Sequence, residues 1–166
     1  MKVLAIRHGA LGDMIQALGP FQAIRRHHPH AHLIALTGPP FAELLRASGW
    51  FQEVWIDDRP PLWRLDAWLG TIHRLRAARF DRVYDLQTSS RTAWYFRLMG
   101  SPAPEWSGVA PGASHPHDYP DRVEMHTVDR QAEQLRLAGI PEVPPPAVSW
   151  LEIGRASCRE RVFSSV

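Results

Sequence analysis

The chain has only one cysteine and lacks long apolar runs. Its single cysteine, Cys158, excludes an internal disulfide framework and fits a reducing compartment. No apolar run approaches the roughly 20 residues of a membrane-spanning helix. The apolar stretch at the start of the chain is too short for a signal peptide. We therefore expect a cytoplasmic protein.

An excess of charge of one sign is also lacking. The 166 residues include 19 lysines and arginines against 17 aspartates and glutamates, which gives a net charge of +2. Only Lys2 is a lysine, so the pI of about 9.1 reflects arginine and not a large positive charge. This near balance provides no field strong enough to hold nucleic acid or an anionic membrane, and we expect no nucleic-acid partner. The hydrophobic share of 45% is ordinary for one globular domain.

Short apolar runs alternate with segments of helical periodicity along most of the chain. The apolar runs predict strands at 2–6, 32–36, 53–56 and 82–86. Helices are predicted between and after them, at 14–24, 41–46, 62–78 and 89–98. The helix at 62–78 places Leu65, Leu69, Ile72 and Leu75 on one apolar face. This alternation predicts an α/β fold, a doubly wound, Rossmann-like parallel sheet covered on both faces.

The second half of the chain contains fewer predicted elements. A short strand at 106–109 and a helix at 126–138 complete residues 1–150 as one predicted domain. The three prolines at 144–146 predict a semi-rigid, extended connector. Residues 152–162 have no helical or strand period, and they resemble the translation of a sequencing adapter. We therefore interpret residues 151–166 as a non-native or disordered tail and expect the natural protein to continue into a further domain.

The turn after the first strand is the most informative part of the sequence. Gly9 and Gly12 permit a tight turn and a close approach to a ligand, and Asp13 follows them in the first helical turn. Ligands of doubly wound sheets bind at this carboxyl end of the strands. The spacing of the glycines matches neither the dinucleotide fingerprint nor a P-loop. Asp13 either acts chemically or caps the helix and complements its dipole, and the sequence leaves both open.

Three further patterns stand in the sequence, L-G-D at 11–13, D-L-Q-T-S-S-R at 85–91 and H-T-V-D-R at 126–130. In this order, they resemble glycosyltransferase family 9, the lipopolysaccharide heptosyltransferases. Two positions depart from the family pattern. His8 stands where a small hydroxyl residue is common after the basic residue, and Thr88 replaces the glycine that commonly follows the glutamine.

The resemblance implies the N-terminal half of a GT-B fold, in which two Rossmann-like domains enclose the active site. The N-terminal domain of that family binds the acceptor, a lipopolysaccharide core. The C-terminal domain, absent from this sequence, binds a nucleotide-sugar donor, usually ADP-heptose. The transfer inverts the anomeric centre, and the resemblance implies no metal and no other cofactor. It also implies at most peripheral contact with the inner face of the inner membrane, and a chain that is inactive by itself.

By the same resemblance, Asp13 corresponds to the aspartate taken as the general base that accepts the proton of the acceptor hydroxyl. We expect an acceptor with carboxylates and phosphates to be bound by polar and arginine side chains and by the first turn itself. The predicted acceptor-binding residues are Leu11, Gly12, Arg64, Gln87, Ser89, Arg91, His126 and Arg130.

Two other functions remain open from the sequence. Arg7-His8-Gly9 after a strand also resembles the histidine phosphatase superfamily, in which the histidine is phosphorylated, although no Gly-His pair on a late strand supplies its second histidine. A non-catalytic acceptor-binding fragment is the other possibility. The histidines at 27, 28, 30 and 32 span a helix end and a strand start, so we expect surface histidines and not a metal site.

Overall fold

A six-stranded parallel sheet organises the chain in the computed structural model, which describes residues 1–61, 63–118 and 120–148. The strands are β1 (Lys2–Ile6), β2 (His32–Thr37), β3 (Glu53–Ile56), β4 (Arg82–Asp85), β5 (Glu105–Gly108) and β6 (His115–Pro116). Their order is β3-β2-β1-β4-β5-β6, and each neighbouring pair is parallel. The predicted doubly wound, Rossmann-like α/β sheet is thus confirmed, with β1 at its centre.

Alternating side chains of the strands build two cores on opposite faces of the sheet. Val3 and Ala5 of β1 belong to one core, whereas Leu4 and Ile6 belong to the other. The same alternation along β2 shows that both faces of the sheet are covered. The buried strands therefore read as continuous apolar runs in the sequence.

Six α-helices within the described residues cover these faces. They are α1 (Leu11–Gln16), α2 (Leu18–His27), α3 (Ala42–Ala47), α4 (Leu65–Ala78), α5 (Ser90–Met99) and α6 (Thr127–Leu137). Residues of α1, α2, α3 and α6 join the first core, and residues of α4 and α5 join the second. No helix in the described ranges is both long and apolar enough to cross a bilayer.

The predicted apolar face of the fourth helix is only half buried. Ile72 and Leu75 lie in the second core, but Leu65 and Leu69 are 66% and 69% exposed. The periodicity places these four side chains on one helical face, but only the C-terminal half of that face joins a core. Leu62, the predicted start of this helix, lies outside the described residues.

The proline-rich segment after α6 packs against the domain. A Cβ placed on Gly19 of α2 would lie 2.1 Å from the carbonyl oxygen of Pro144. Val143 packs against the first core. The predicted connector therefore begins as an extended segment packed on α2, which we call the strap (residues 143–145). The predicted tail at 151–166 lies outside the described residues.

We predict that Gly19→Ala destabilises the protein although alanine is the better helix former. The backbone of Pro144 cannot yield as a flexible side chain would, and such overpacking typically costs about 1–3 kcal/mol. Gly70→Ala, inside α4 with open space around it, is the matched control and should stabilise by about 0.5–1 kcal/mol. Urea denaturation of both variants measures the difference. Equal stabilisation by the two alanines would contradict the packing of the strap.

Candidate functional site

Ionisable side chains stand at the carboxyl ends of three strands. Arg7 directly follows β1, Asp57 directly follows β3, and Asp85 is the last residue of β4. The chain leaves β1 toward one face of the sheet and leaves β4 toward the other, so a crevice opens between these two central strands. This is the topological switch point, where doubly wound sheets bind their ligands.

Arg7 ties the two sides of the crevice together. Its side chain is 6% exposed, its Nη1 donates to the carbonyl of Leu86 at 2.7 Å, and its Nη2 lies 3.2 Å from Oδ1 of Asp13. Burial lowers the pKa of Arg7, the charges of Asp13 and Asp85 act against this shift, and the charge of Arg130 adds to it. The guanidinium thus joins the loop after β4 to the first turn of α1.

Asp13 is held by Arg7 and does not cap α1. The N-cap residue is Ala10, with no side-chain cap hydrogen bond. The carboxylate lies over Gly9, where a Cβ would approach its Oδ2 to 2.9 Å, and Gly9 has a φ of +126° that only glycine adopts easily. With 45% of its side chain exposed, Asp13 can reach a ligand in the crevice while Arg7 fixes its orientation.

The loop after β4 is organised by the carboxylate of Asp85. The backbone N–H groups of Gln87 and Thr88 donate to its Oδ1 at 3.1 and 2.9 Å. The amide oxygen of Gln87 then accepts the backbone N–H of His8 at 2.8 Å across the crevice. Thr88 has a φ of +49°, a left-handed conformation that explains why glycine suits this position. The departure from the family pattern therefore places a β-branched residue in a left-handed backbone conformation.

The carboxylate of Asp57, after β3, is the second buried carboxylate at this edge that is surrounded by hydrogen-bond donors. Its Oδ2 accepts the hydroxyl of Tyr95 at 2.6 Å and lies 3.2 Å from Nε2 of His8, and its Oδ1 accepts the backbone N–H of Arg59 at 2.8 Å. Burial alone would raise the pKa of Asp57, but these donors outweigh it and lower the pKa. Burial and the neighbouring Asp57 raise the pKa of Tyr95.

Burial dominates the ionisation of Asp85. It raises the pKa of this fully buried carboxyl to about 6, against the backbone hydrogen bonds from Thr88 and Gln87 that lower it. The two strand-end carboxyls, Asp57 and Asp85, therefore have pKa values shifted in opposite directions.

The structure brings together part of the predicted site. Asp13, Gly12 and Leu11 form the first turn of α1, and Gln87 faces them across the crevice. Arg130 lies close enough to Arg7 for its charge to act there. Its helix, α6, is fixed by Gln134, whose Nε2 donates to the carbonyls of Asp85 and Ser107 at 2.9 and 3.1 Å.

Two other residues predicted to bind the acceptor substrate serve as helix caps. Ser89 caps α5, where its side chain and that of Thr92 form a reciprocal capping box. His126 caps α6, and its Nδ1 accepts the backbone N–H of Val128 at 3.4 Å. These contacts explain both residues without a ligand.

The arginines of α4 and α5 have partners of their own. Arg64 pairs with Asp66 at 3.1 Å on the exposed start of α4. Arg91 donates to the carbonyl of Pro60 at 3.1 Å, and its guanidinium lies 4.8 Å from the ring of Trp68. Neither contact joins these arginines to Asp13.

The sequence-based site omitted Arg7, Asp57 and Tyr95. A signal for the first two was present, since each charged residue directly follows an apolar strand and parallel strands end at one edge. Tyr95 gave no such signal, because its contact with Asp57 links residues 38 positions apart.

The expectation of surface histidines is wrong for His28. This side chain is buried, and its Nε2 lies 2.8 Å from the hydroxyl of Tyr84. Burial lowers the pKa of His28 to about 4. His32 instead pairs with Glu53 at 2.7 Å on the surface. Within the described parts of the chain, no three histidine, cysteine, aspartate or glutamate side chains come together as a metal site.

Solved structures share this fold over most of the chain. A glycosyl transferase family 9 protein from Veillonella parvula DSM 2008 matches 87% of the chain with a TM-score of 0.72 and 17% identity. E. coli ADP-heptose lps heptosyltransferase II matches 99% of it with a TM-score of 0.68 and 17% identity. E. coli heptosyltransferase WaaC, solved with ADP-2-deoxy-2-fluoro heptose, matches 89% with a TM-score of 0.63 and 15% identity.

The chain spans only about half of these structures. It covers 42%, 52% and 50% of the three solved chains, respectively. No family model and no curated protein matches its sequence. At this level of identity the comparison shows the fold alone, and it confirms the predicted Rossmann-like α/β domain, which is shared with about half of each solved chain.

We predict that Asp85→Asn changes stability in a pH-dependent way. Because the pKa of Asp85 is raised in the folded protein, the folded state binds more protons than the unfolded state between about pH 4 and pH 6. Its contribution to stability therefore falls as the pH rises through this window. Asparagine keeps the acceptor oxygen and loses the charge, so the variant should gain about 1–3 kcal/mol relative to wild type between pH 4 and pH 7.

Chemical denaturation of both proteins at several pH values measures this gain. Comparing the variant with wild type is essential, since the lowered pKa of His28 gives wild type an opposite slope between about pH 4 and pH 6.5. Asp58→Asn, at an exposed position on the same edge, controls for the loss of one charge. If the free energies of unfolding of wild type and Asp85→Asn changed with pH in parallel, a buried, titrating carboxyl at this position would be contradicted.

Proposed function

We propose that this chain is the acceptor-binding half of an inverting glycosyltransferase of family 9. The whole enzyme would transfer heptose, or a related sugar, from an ADP-sugar to a lipopolysaccharide core acceptor. The carrying observation is the half-exposed carboxylate of Asp13, held by the buried Arg7 at the switch point of the sheet. The L-G-D motif that contains this aspartate is one of the three family-like segments.

The proposed chemistry needs one base on this side of the cleft. The acceptor hydroxyl oxygen attacks the anomeric carbon, its proton passes to Asp13, and the bond to the nucleotide diphosphate breaks with its electron pair. Attack opposite the leaving group inverts the anomeric centre. The nucleotide is a co-substrate, and the proposal includes no metal and no cofactor.

The acceptor would enter between the first turn of α1 and the start of α6. Gly12 and Leu11 offer an open surface there, since nothing lies within 4 Å of a Cβ placed on Gly12 and Leu11 is 62% exposed. Gln87 and Arg130 complete this part of the crevice, and Arg130 suits an acceptor that carries phosphate or carboxylate groups. Arg64, Arg91, Ser89 and His126 would act only if the acceptor displaced their present partners.

The donor would be bound by a second domain, as the coverage of the solved structures suggests. A GT-B site needs both walls, so the chain by itself should bind the acceptor without turnover. We propose a cytoplasmic location next to the membrane that carries the acceptor.

The histidine phosphatase alternative gains no support from the geometry. His8 is 2% exposed, and its Nε2 lies against Asp57 and away from solvent. A phosphate could not approach this nitrogen for in-line transfer without dismantling the buried contact with Asp57.

We predict that Asp13→Asn lowers kcat of the whole enzyme by roughly 10²–10⁴, the usual range for the loss of a general base. Asparagine preserves the shape of the side chain but cannot accept the proton. The variant leaves Arg7 without its charged partner, so stability should fall by about 1–2 kcal/mol while the protein stays folded. Steady-state transfer from an ADP-sugar to a core acceptor, with circular dichroism as a folding check, measures the effect.

Asp66→Asn is the matched control, because Asp66 also lies in the first turn of a helix and pairs with an arginine. Its kcat should stay within about threefold of wild type, as the paired charge is exposed. Near-wild-type turnover of Asp13→Asn would remove Asp13 from the mechanism.

A further inference from the structure

A cavity of about 570 Å³ lies at the amino edge of the sheet, at the opposite end from the crevice. It opens between the end of α4 and residues 100–104, which lead from α5 into β5. The residues on its two sides directly precede β4 and β5, so Asp13 is at the other end of these strands. The cavity has the size of a small-molecule site.

One part of the cavity lining is apolar. Leu75 and Phe80 line it and are buried in the second core, and Met99 packs against the same core. Pro102 and Pro104 extend this apolar surface on the side of β5. An apolar body placed here would cover the margin of a core that already exists, so the cavity favours a ligand that is not purely polar.

The other part of the lining carries two arginines. Arg76 and Arg79 are three positions apart, so they are neighbours at the end of α4. Nε of Arg76 donates to the carbonyl of Leu98, which fixes the plane of this guanidinium. No carboxylate in the described part of the chain forms an ion pair with either arginine. Asp81, the carboxylate of the lining, instead accepts the backbone N–H of Lys2 at 2.6 Å.

Arg79 has a backbone conformation that suits glycine better than arginine. Its φ is +50°, in the left-handed region where helices commonly end on a glycine. The end of α4 does not depend on this side chain for a cation, since Nζ of Lys2 already donates to the carbonyl of Ala78 at 3.1 Å. A strained arginine that lines a cavity and has no ion-pair partner among the described residues points to a bound anion.

We propose that this cavity binds a small carboxylate with a compact apolar body. The carboxylate pairs with Arg79, whose planar fork matches two oxygen atoms, and with the Nη groups of Arg76. The apolar body packs on Leu75 and Phe80. Because two arginines and one aspartate line the cavity, a monoanion balances the charge better than the dianion of a phosphate monoester. A phosphorylated sugar also lacks the apolar body, so the inference concerns a second ligand and does not rest on the proposed function.

The test is titration of the isotope-labelled chain with 1-naphthoate while backbone amide shifts are recorded by NMR. The amides of Phe80, Gly100 and Ser101 should shift and saturate together, whereas those of Gly12 and Gln87 at the crevice should not. The neutral 1-naphthamide should bind roughly tenfold or more weakly, because it lacks the charge that pairs with the arginines. Acetate, which lacks the apolar body, should give no saturable shift.

Arg79→Gly removes the guanidinium and relieves the left-handed strain in one change. This variant should bind 1-naphthoate roughly tenfold or more weakly, and it should unfold at the same temperature as wild type or a higher one. Arg59→Gly is the matched control, because Arg59 is exposed, has a φ of +48° and follows β3 at the opposite edge. It removes the same charge and the same strain but should bind 1-naphthoate as wild type does. Arg76→Gln, which keeps a good helix former within α4, should also weaken binding.

The proposal is overturned if 1-naphthoate gives no saturable shift at Phe80, Gly100 and Ser101, or if it shifts the amides of the crevice instead. It is also overturned if folded Arg79→Gly and Arg76→Gln both bind as wild type does. Equal binding of 1-naphthamide and 1-naphthoate would overturn it too, since the arginines would then play no part. Failure of glycosyl transfer in the whole enzyme changes none of these outcomes and would count against the proposed function alone.

Discussion

The geometry of the candidate site depends on two contacts of the buried Arg7 guanidinium. A charge removed from water is tolerated only when other groups replace its hydration, and here these are the carbonyl of Leu86 and the carboxylate of Asp13. Both partners belong to loops that leave the sheet toward opposite faces. The need to satisfy one arginine therefore fixes the width of the crevice and the direction of Asp13 together.

Hydrogen bonds to two buried carboxylates also hold the loops at the carboxyl edge of the sheet. Asp85 and Asp57 use backbone and side-chain donors to fix the loops after β4 and β3, and the pKa values of these carboxyls shift in opposite directions. Neither carboxyl is accessible to a ligand, as both are buried. Asp13 differs from these two in being half exposed, so a bound molecule can reach its carboxylate.

Much of the fold could be predicted because it follows from short-range patterns. Apolar runs buried on both faces identified the strands, and the order of strands and helices implied the doubly wound sheet. The differences between sequence and structure depend on packing between distant parts of the chain. His28 is buried by Tyr84, 56 positions away, and Leu65 and Leu69 lack the neighbours that periodicity alone would assume. The sequence named Asp13 and Gln87 as candidate site residues because their motifs are local. Tyr95 was missed, since its contact is made only by folding.

Binding of the acceptor at the crevice between β1 and β4 can be tested by mapping where a core saccharide contacts the chain. A phosphorylated inner-core oligosaccharide without its lipid can be titrated into the isotope-labelled chain while backbone amide shifts are recorded by NMR. We expect the amides of Gly9, Gly12 and Gln87, at the crevice between β1 and β4, to shift and saturate together. Ser101, at the opposite end of the sheet near the start of β5, should not move. Shifts confined to that opposite end, or no saturable shift at the crevice, would contradict the assignment of this edge as the acceptor site.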